Sequence, residues 1–287
     1  MKRALLTVGT LNYIPGITAT LRSAARFHPD VDRFVYVPAA EVDEARAIWG
    51  DEATVTSPPR ELAGVPSKFQ QLVARTFIGT FDYDAVAYLD CDAHFTAPAP
   101  ELWEIPPGQI NGVKSGINQT VIRGMPDDMR ELFRGAFPEV CDNQVLNCGV
   151  LALRPADWRD LPEQFERVFS RGGFPRYDVW MDQPLLNVVF ADKINWLDRR
   201  FNASDLYDLG VPNDVRVMHF TGPNKPWHDD YSRIVPMYYY WLRYGAGETR
   251  ALPLLATRLR IALWTPKRLL GQALRRRRES REEATSH

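Results

Sequence analysis

An alternation of short apolar segments with amphipathic ones is the feature that most constrains how this chain folds. Residues 4–9, 33–37 and 85–89 are apolar and rich in β-branched or aromatic side chains, which predicts buried strands. Between the first two, the segment that begins at Pro15-Gly16 spaces its apolar residues three or four positions apart, as an amphipathic helix does. Strands alternating with helices predict an α/β fold with a largely parallel sheet covered on both faces.

The rest of the sequence continues this pattern less regularly. Further helices are predicted at 41–49, 67–77, 127–135, 156–170, 182–190 and 231–244, and further strands at 53–56, 149–153 and 215–220. Between 108 and 147 the sequence predicts only scattered turns around the helix at 127–135.

Polar motifs occur where two of the predicted strands end. Ligands bind at the carboxyl ends of strands in such sheets, which points to residues 9–13 and to Asp90-Cys91-Asp92. In an extended chain Asp90 and Asp92 project to the same side, and paired carboxylates can hold a hard divalent cation that bridges to a diphosphate. The alternative interpretation of the same motif is a solvated turn.

Later motifs each have an ordinary structural explanation beside a functional one. Asn147 precedes a strand and can bond a sugar hydroxyl or simply form a turn. Asp182 and Gln183 begin a helix, where an acid is favoured by the helix dipole alone. His219, at the end of a strand, is either a structural residue or a metal ligand. Lys225 follows a Gly-Pro turn and is either a solvated lysine or a phosphate-binding cation.

Taken in order, these motifs resemble those of glycosyltransferase family 8, which includes glycogenin and bacterial lipopolysaccharide galactosyltransferases and glucosyltransferases. The resemblance spans about residues 4–227 and rests on five segments: Thr7-Val8-Gly9-Thr10, Tyr88-Leu89-Asp90-Cys91-Asp92, Leu146-Asn147-Cys148-Gly149-Val150-Leu151, Asp182-Gln183-Pro184-Leu185-Leu186-Asn187 and His219-Phe220-Thr221-Gly222-Pro223-Asn224-Lys225-Pro226-Trp227. The last of these is the most specific.

The resemblance implies a GT-A fold, a single Rossmann-like nucleotide-sugar-binding domain with a mixed sheet. It implies a retaining enzyme that transfers a hexose, glucose or galactose, from a UDP-sugar to a glycan or glycolipid hydroxyl. Mn²⁺, or alternatively Mg²⁺, would assist. By position it implies Asp90, Asp92 and His219 as metal ligands, Gly222 and Lys225 at the diphosphate, Val8, Thr10 and Tyr13 at the uridine, and Asn147, Asp182 and Gln183 at the donor sugar and reaction centre.

Three features leave alternatives open. The family's usual Phe-Asn-Ser-Gly is here Leu146-Asn147-Cys148-Gly149, with the asparagine kept. Lys68 and Arg75 both compete for the basic position that the family has before its metal motif. Residues 111–142 match no part of the family pattern, so an acceptor-binding role for them is only an expectation.

The reaction also has alternatives at this point. Asp182 is the only carboxylate outside the Asp-x-Asp pair that could act as a nucleophile, but we favour attack from the leaving-group face, with Asp182 and Gln183 as positioning groups. A non-catalytic nucleotide-sugar- or glycan-binding protein is the second hypothesis. A nucleotidyltransferase is the third, although residues 9–13 lack the glycines and basic residues that hold a triphosphate.

Charge divides the chain into two parts. The net charge of −1 gives no overall reason to expect a nucleic-acid partner, but residues 250–287 carry ten Arg or Lys against three Glu, so residues 1–249 sum to −8. We therefore expect a catalytic domain at 1–249 and a basic helical tail at 250–287. The Leu- and Trp-containing stretch 250–278 suits an anionic membrane surface about as well as it suits a solvated tail.

Location follows from what the sequence lacks. It has no run of 18 apolar residues and no signal-peptide pattern, and its cysteines, Cys91, Cys141 and Cys148, form no CxxC pair. These features predict a cytoplasmic protein, with peripheral association at the inner face of the membrane if the tail binds there.

Overall fold

Seven strands form the central sheet of this protein. A computed structural model describes residues 1–58, 73–116, 120–123, 125–174, 181–204, 214–221, 225–228 and 241. Lys68, Gly222, the predicted helix at 231–244 apart from Trp241, and the tail at 250–287 lie outside the described residues.

The sheet is mixed, with one reversed strand. Its strands are β1 (Arg3–Val8), β2 (Asp32–Tyr36), β3 (Thr54–Thr56), β4 (Ala85–Leu89), β6 (Ile110–Lys114), β7 (Leu146–Leu153) and β8 (Ile194–Leu197), in the spatial order β3-β2-β1-β4-β7-β6-β8. Strand β7 runs antiparallel to both of its neighbours, and the other strands are parallel. The predicted α/β class and largely parallel sheet are confirmed.

Helices cover both faces of the sheet. They are α1 (Ile14–Phe27), α2 (Val42–Trp49), α3 (Asp127–Ala136), α4 (Leu161–Arg171) and α5 (Asp182–Phe190). A 3-10 helix at Arg75–Thr80 precedes β4. Strand β4 is apolar throughout because both of its faces are buried. Val86 and Tyr88 pack into the core beneath α3, α4 and α5, whereas Ala85, Ala87 and Leu89 pack into the core on the opposite face. Alternate residues therefore serve two separate cores.

A smaller sheet sits beside the first. It contains β5 (Ala93–Phe95), β9 (Ala203–Ser204) and β10 (Val217–His219), in the order β5-β10-β9. The register pairs His219 with Ala93, the residue that follows Asp92. This pairing brings the end of β10 back to the end of β4.

Two strands of the central sheet were missed by the sequence interpretation. Strand β6 contains Asn111 and Gly112, residue types that are depleted in strands. The Asn111 amide is nevertheless buried and satisfied, because its Nδ2 donates to the carbonyl oxygens of Glu101, Leu102 and Glu104. Strand β8 is short and only partly buried, so it lacks a clear apolar pattern.

Other boundaries differ in ways that the local sequence explains. The helix predicted at 156–170 is a 3-10 turn at Pro155–Asp157 followed by α4, which begins beside Pro162. The helix predicted at 67–77 is described only from residue 73 and ends in the 3-10 helix at Arg75–Thr80. Within the described residues, none of the helices has both the length and the apolar character needed to span a bilayer.

Gly79 fixes the 3-10 helix at Arg75–Thr80 against the chain before α4. A Cβ at Gly79 would lie 2.0 Å from the carbonyl oxygen of Trp158 and 3.3 Å from Leu161 Cβ. We expect Gly79→Ala to lower the free energy of unfolding by about 1–3 kcal/mol, the usual cost of overpacking, in urea titrations followed by circular dichroism.

Gly135 in α3 provides the control, because nothing lies within 4 Å of a Cβ built there. Gly135→Ala should stabilise the protein by roughly 0.5–1 kcal/mol through helix propensity. Equal effects of the two substitutions would contradict the close packing at Gly79.

Candidate active site

Asp90, Asp92 and His219 converge at the carboxyl end of β4. His219 Nε2 lies 3.2 Å from Asp92 Oδ1 and 3.5 Å from Asp90 Oδ2. One ligand atom from each residue can be chosen so that all three lie within 4.8 Å of one another. The three residues predicted as metal ligands are therefore brought together by two different sheets.

Gly149 makes this convergence possible. A Cβ at position 149 would lie 2.2 Å from His219 Cε1 and 2.6 Å from Asp90 Oδ2, so any larger residue would collide with both groups. The Gly149 carbonyl oxygen also accepts a hydrogen bond from the Asp90 backbone N–H at 2.8 Å. The glycine that ends the Leu146-Asn147-Cys148-Gly149 motif thus lines the site directly.

A chain of amides orients the His219 ring. The Asn147 Oδ1 accepts bonds from the Gly149 N–H at 2.9 Å and from Asn202 Nδ2 at 3.0 Å. Asn202 Oδ1 is then the atom that faces His219 Nδ1, at 3.0 Å, and it can only accept. Nδ1 therefore carries the proton, and Nε2 presents its lone pair to the carboxylates when the ring is neutral.

Arg75 joins Asp90 to Asp182. Its guanidinium Nη2 lies 3.4 Å from Asp90 Oδ1 and 3.2 Å from Asp182 Oδ2, and its Nη1 donates to the Cys148 carbonyl oxygen at 3.1 Å. The Arg75 side chain is only 7% exposed. Of the two basic candidates, the structure places Arg75 at the site, and Lys68 lies outside the described residues.

Tyr88 holds the Asp90 carboxylate in place through a hydrogen bond. Its hydroxyl donates to Asp90 Oδ1 at 2.5 Å, and its ring lies 4.9 Å from the guanidinium carbon of Arg75. Tyr88 is buried, and burial raises the pKa of its phenol well above the ordinary value. The phenol is therefore a hydrogen-bond donor that fixes one oxygen of Asp90.

Lys225 lies on the other side of the carboxylate pair. Its Nζ donates to Asp92 Oδ2 at 2.5 Å and to the Phe220 carbonyl oxygen at 2.7 Å. Burial favours neutral forms, but Lys225 and His219 together hold the pKa of Asp92 well below its usual range. In turn, Asp92 outweighs burial and raises the pKa of Lys225. Lys225 is therefore a fixed positive charge.

The start of the fold adds an aromatic wall. The Tyr13 ring meets Trp227 edge to face at 6.1 Å between centroids, and Val8 and Thr10 lie at the end of β1 just before it. Burial raises the pKa of Tyr13, and the nearby Asp90, Asp92 and Lys225 also act on it, so the ring lies close to the charges. The predicted uridine-binding residues Val8, Thr10 and Tyr13 therefore face the same edge of the sheet.

Two predicted sugar-facing groups are partly occupied by the protein itself. The side-chain oxygen of Asn147, Oδ1, accepts hydrogen bonds from the Gly149 N–H and from Asn202 Nδ2. This is the turn-forming alternative for Asn147. Gln183 Oε1 accepts a long bond, 3.4 Å, from the Cys148 backbone N–H. Asp182, the first residue of α5, has a pKa raised by burial despite Arg75.

The donor set of two carboxylates and an imidazole suits a divalent metal ion such as Mg²⁺ or Mn²⁺. Two carboxylates suit either ion, but an imidazole nitrogen is a ligand that transition metals accept more readily. Among the described residues of this cluster, three carboxylates (Asp90, Asp92, Asp182) face two permanent cations (Arg75, Lys225). Burial disfavours a charged imidazole, but Asp92 and Asp90 outweigh it and raise the pKa of His219, so a metal ion that bound there would displace a proton from this ring.

Sequence reasoning missed Tyr88 and Asn202 as parts of the site. Tyr88 could have been found, because it precedes Asp90 by two residues and so shares its side of the strand. Asn202 gave no signal, since only the pairing of β9 with β10 brings it to His219. Gly222, predicted at the diphosphate, lies outside the described residues.

Known proteins resemble this chain in sequence and in fold. A lipopolysaccharide 1,2-glucosyltransferase of Escherichia coli is 24% identical over 170 residues, which cover 52% of this chain and 48% of that protein. This chain thus spans about half the length of that relative. The galactosyltransferase LgtC, solved with donor and acceptor sugar analogues, superposes with a TM-score of 0.55 at 21% identity, covering 79% of this chain and 90% of LgtC.

The glycosyltransferase GlyE of Streptococcus pneumoniae TIGR4 superposes with a TM-score of 0.60 at 19% identity, over 93% of this chain and 64% of GlyE. These likenesses confirm the GT-A fold. Residues 69–231, more than half of the chain and the part that holds Arg75, Asp90, Asp182 and His219, match the family described as glycosyl transferase family 8. The chain therefore belongs to this family of glycosyltransferase enzymes, as its motifs predict.

Proposed function

We propose that this protein is a retaining glycosyltransferase that moves a hexose from a UDP-sugar to a hydroxyl of a glycan or glycolipid. The observation that carries the proposal is the cluster of Asp90, Asp92 and His219 with Lys225 beside it, in a chain of this family. A carboxylate pair, an imidazole that releases its proton when a metal binds, and a fixed lysine suit the binding of a metal-diphosphate.

Each side chain has a separate task in this proposal. Asp90, Asp92 and His219 would hold Mn²⁺, which supplies Lewis-acid stabilisation of the diphosphate leaving group. Lys225 adds a preorganised positive charge where negative charge develops as the bond from the anomeric carbon to the UDP oxygen breaks. Tyr13 provides an aromatic surface for the uracil, and Gln183 provides an amide for the donor sugar.

Asp182 acts as a positioning group in this proposal. Its Oδ2 is engaged by Arg75 at 3.2 Å, and the carboxylate sits in a buried setting that disfavours its charged form. A carboxylate held in this way is a weak nucleophile. We therefore favour attack by the acceptor hydroxyl on the face that UDP leaves. The electron pair of the bond from the anomeric carbon departs with the UDP oxygen, and the hydroxyl proton passes to the departing diphosphate.

The relatives narrow the substrates that we propose. The Escherichia coli proteins that resemble this chain are named as lipopolysaccharide glucosyltransferases. We therefore propose UDP-glucose as the first donor to test, UDP-galactose as the second, and a lipopolysaccharide-type glycan as the acceptor. A cytoplasmic location, with contact between residues 250–278 and an anionic membrane, remains a prediction from sequence that vesicle binding would test.

The first experiment is a screen of UDP-sugars for UDP release with and without Mn²⁺. We expect Mn²⁺-dependent release from one UDP-hexose, and we expect Asp90→Asn to reduce it at least 100-fold, the scale for loss of a charged metal ligand. Asp142→Asn, at an exposed acid, is the control and should be silent.

Two other results would select the alternatives. UDP-sugar binding without turnover for any donor would favour a non-catalytic binding protein. Release of pyrophosphate from UTP and a sugar phosphate, without UDP release, would favour a nucleotidyltransferase.

Tyr88→Phe tests the support of Asp90. The ring that packs on Arg75 remains, but Asp90 Oδ1 loses its phenol donor, so we expect the dissociation constant for Mn²⁺ to rise about 10-fold. Electron paramagnetic resonance of free Mn²⁺ measures it without any sugar. Tyr83→Phe removes a similar bond, to the surface residue Asp32, and should leave Mn²⁺ affinity unchanged. Equal affinities in both variants would refute the role of Tyr88.

Asp182→Asn distinguishes a positioning group from a nucleophile. We expect kcat to fall by roughly 10–100-fold, the equivalent of about 1.4–3 kcal/mol for a lost charged hydrogen bond, with no glycosyl-enzyme adduct in mass spectra. Asp160→Asn removes an exposed pair with Arg167 and serves as the control. A loss of about 10⁴ or more, or an adduct on residue 182 in the wild type, would assign the nucleophile instead.

A further inference from the structure

An exposed tryptophan lies on the outermost strand at the end of the sheet that holds the active site. Trp196, in β8, is 37% exposed, and the ammonium of Lys114 lies over its ring, 5.6 Å from the centroid. Gly112 is the cross-strand partner of Trp196 and has no side chain to cover the indole, so Lys114 reaches the ring diagonally. We call this pair the Trp196–Lys114 platform.

The strand register locates the platform relative to the charge cluster. Val113 is paired with Asn147 on one side and with Leu197 on the other. Since neighbouring strands are about 4.8 Å apart, the backbone beside Trp196 is two strand spacings, about 10 Å, from Asn147. This distance joins backbones only. Val113 and its partners Asn147 and Leu197 face the core opposite to α5, whereas Lys114 and Trp196 alternate with them and lie on the face that α5 covers.

Helix α5 connects the platform to the reaction centre. Asn187 bonds the backbone of Leu146, accepting from its N–H at 2.7 Å and donating to its carbonyl oxygen at 3.1 Å. Leu146 is the cross-strand partner of Lys114. The platform is therefore next to the strand on which α5, with Asp182 at its first residue, is docked.

The chemistry of the platform suits a charged sugar. A flat indole presents an apolar face for the C–H groups of a pyranose ring. Among the described residues, no carboxylate forms an ion pair with Lys114, which is exposed. A phosphate or carboxylate group on the sugar would form an ion pair with the Lys114 ammonium.

We propose that the Trp196–Lys114 platform is an acceptor subsite that binds a saccharide bearing a phosphate or carboxylate group. The sugar packs against the exposed part of the Trp196 indole, beside the Lys114 ammonium, and its anionic substituent pairs with that ammonium. This assignment rests on the proposed glycosyl transfer, because it places the acceptor rather than the donor at this end of the sheet.

Saturation-transfer difference NMR on the full chain with UDP and Mg²⁺ tests the proposal, because Mg²⁺ is diamagnetic and leaves the probe resonances sharp. The probes are glucose 6-phosphate, glucuronate and glucose at equal concentration. We expect stronger saturation of one or both anionic sugars than of glucose, and the anionic arm that responds identifies phosphate or carboxylate as the preferred group. Lys114→Gln should weaken that binding at least 5-fold, and Trp196→Ala should abolish it.

Lys2→Gln is the matched control, because Lys2 lies over the Tyr83 ring at 4.2 Å in an equivalent pair far from the site. It should leave probe binding unchanged. Equal saturation of all three probes, none at all, or binding that survives both platform variants would overturn the proposal. Calorimetric binding of UDP with Mg²⁺ is measured on the same samples, so loss of UDP binding reports failure of the donor site separately.

Discussion

The crowding of three partly buried carboxylates at one edge of a sheet is the constraint on which the rest of this structure depends. Asp90, Asp92 and Asp182 would repel one another in a poorly solvated site if nothing compensated their charge. The protein supplies Arg75 from a 3-10 helix and Lys225 from the segment after β10, each within ion-pair distance of a carboxylate. The divalent ion that we propose at Asp90, Asp92 and His219 would add a further positive charge to the same cluster.

The reversed strand is the topological device that assembles this cluster. In a fully parallel sheet the beginning of β7 would lie at the edge opposite to the end of β4. Because β7 runs antiparallel, its first residues, with Asn147 and Gly149, meet Asp90 instead. The missing side chain of Gly149 then leaves the space in which Asp90 and His219 approach. The reversed direction of β7 thus places Asn147 and Gly149 beside Asp90 in the candidate active site.

The same edge extends outward from the donor site along β6 and β8. The donor end is formed by charged groups and the aromatic rings of Tyr13 and Trp227, whereas the far end carries an exposed indole and a lysine. Such a gradient suits a reaction in which a diphosphate is held tightly at one end and a sugar more loosely at the other. It is also the reason why we propose that β8, although short and partly buried, contributes to acceptor binding.

The sequence by itself determined the fold class, the strands β1, β2 and β4 and helix α5 from Asp182 to Phe190, because apolar periodicity is a local signal. Its resemblance to a known family, rather than a local pattern, predicted that Asp90, Asp92 and His219 come together. Only the tertiary structure decided that Arg75 bridges Asp90 to Asp182, that Asn202 sets the tautomer of His219, and that Asn111 and Gly112 belong to a central strand. Those outcomes depend on contacts between residues far apart in the chain, where packing and hydrogen bonding override local propensity.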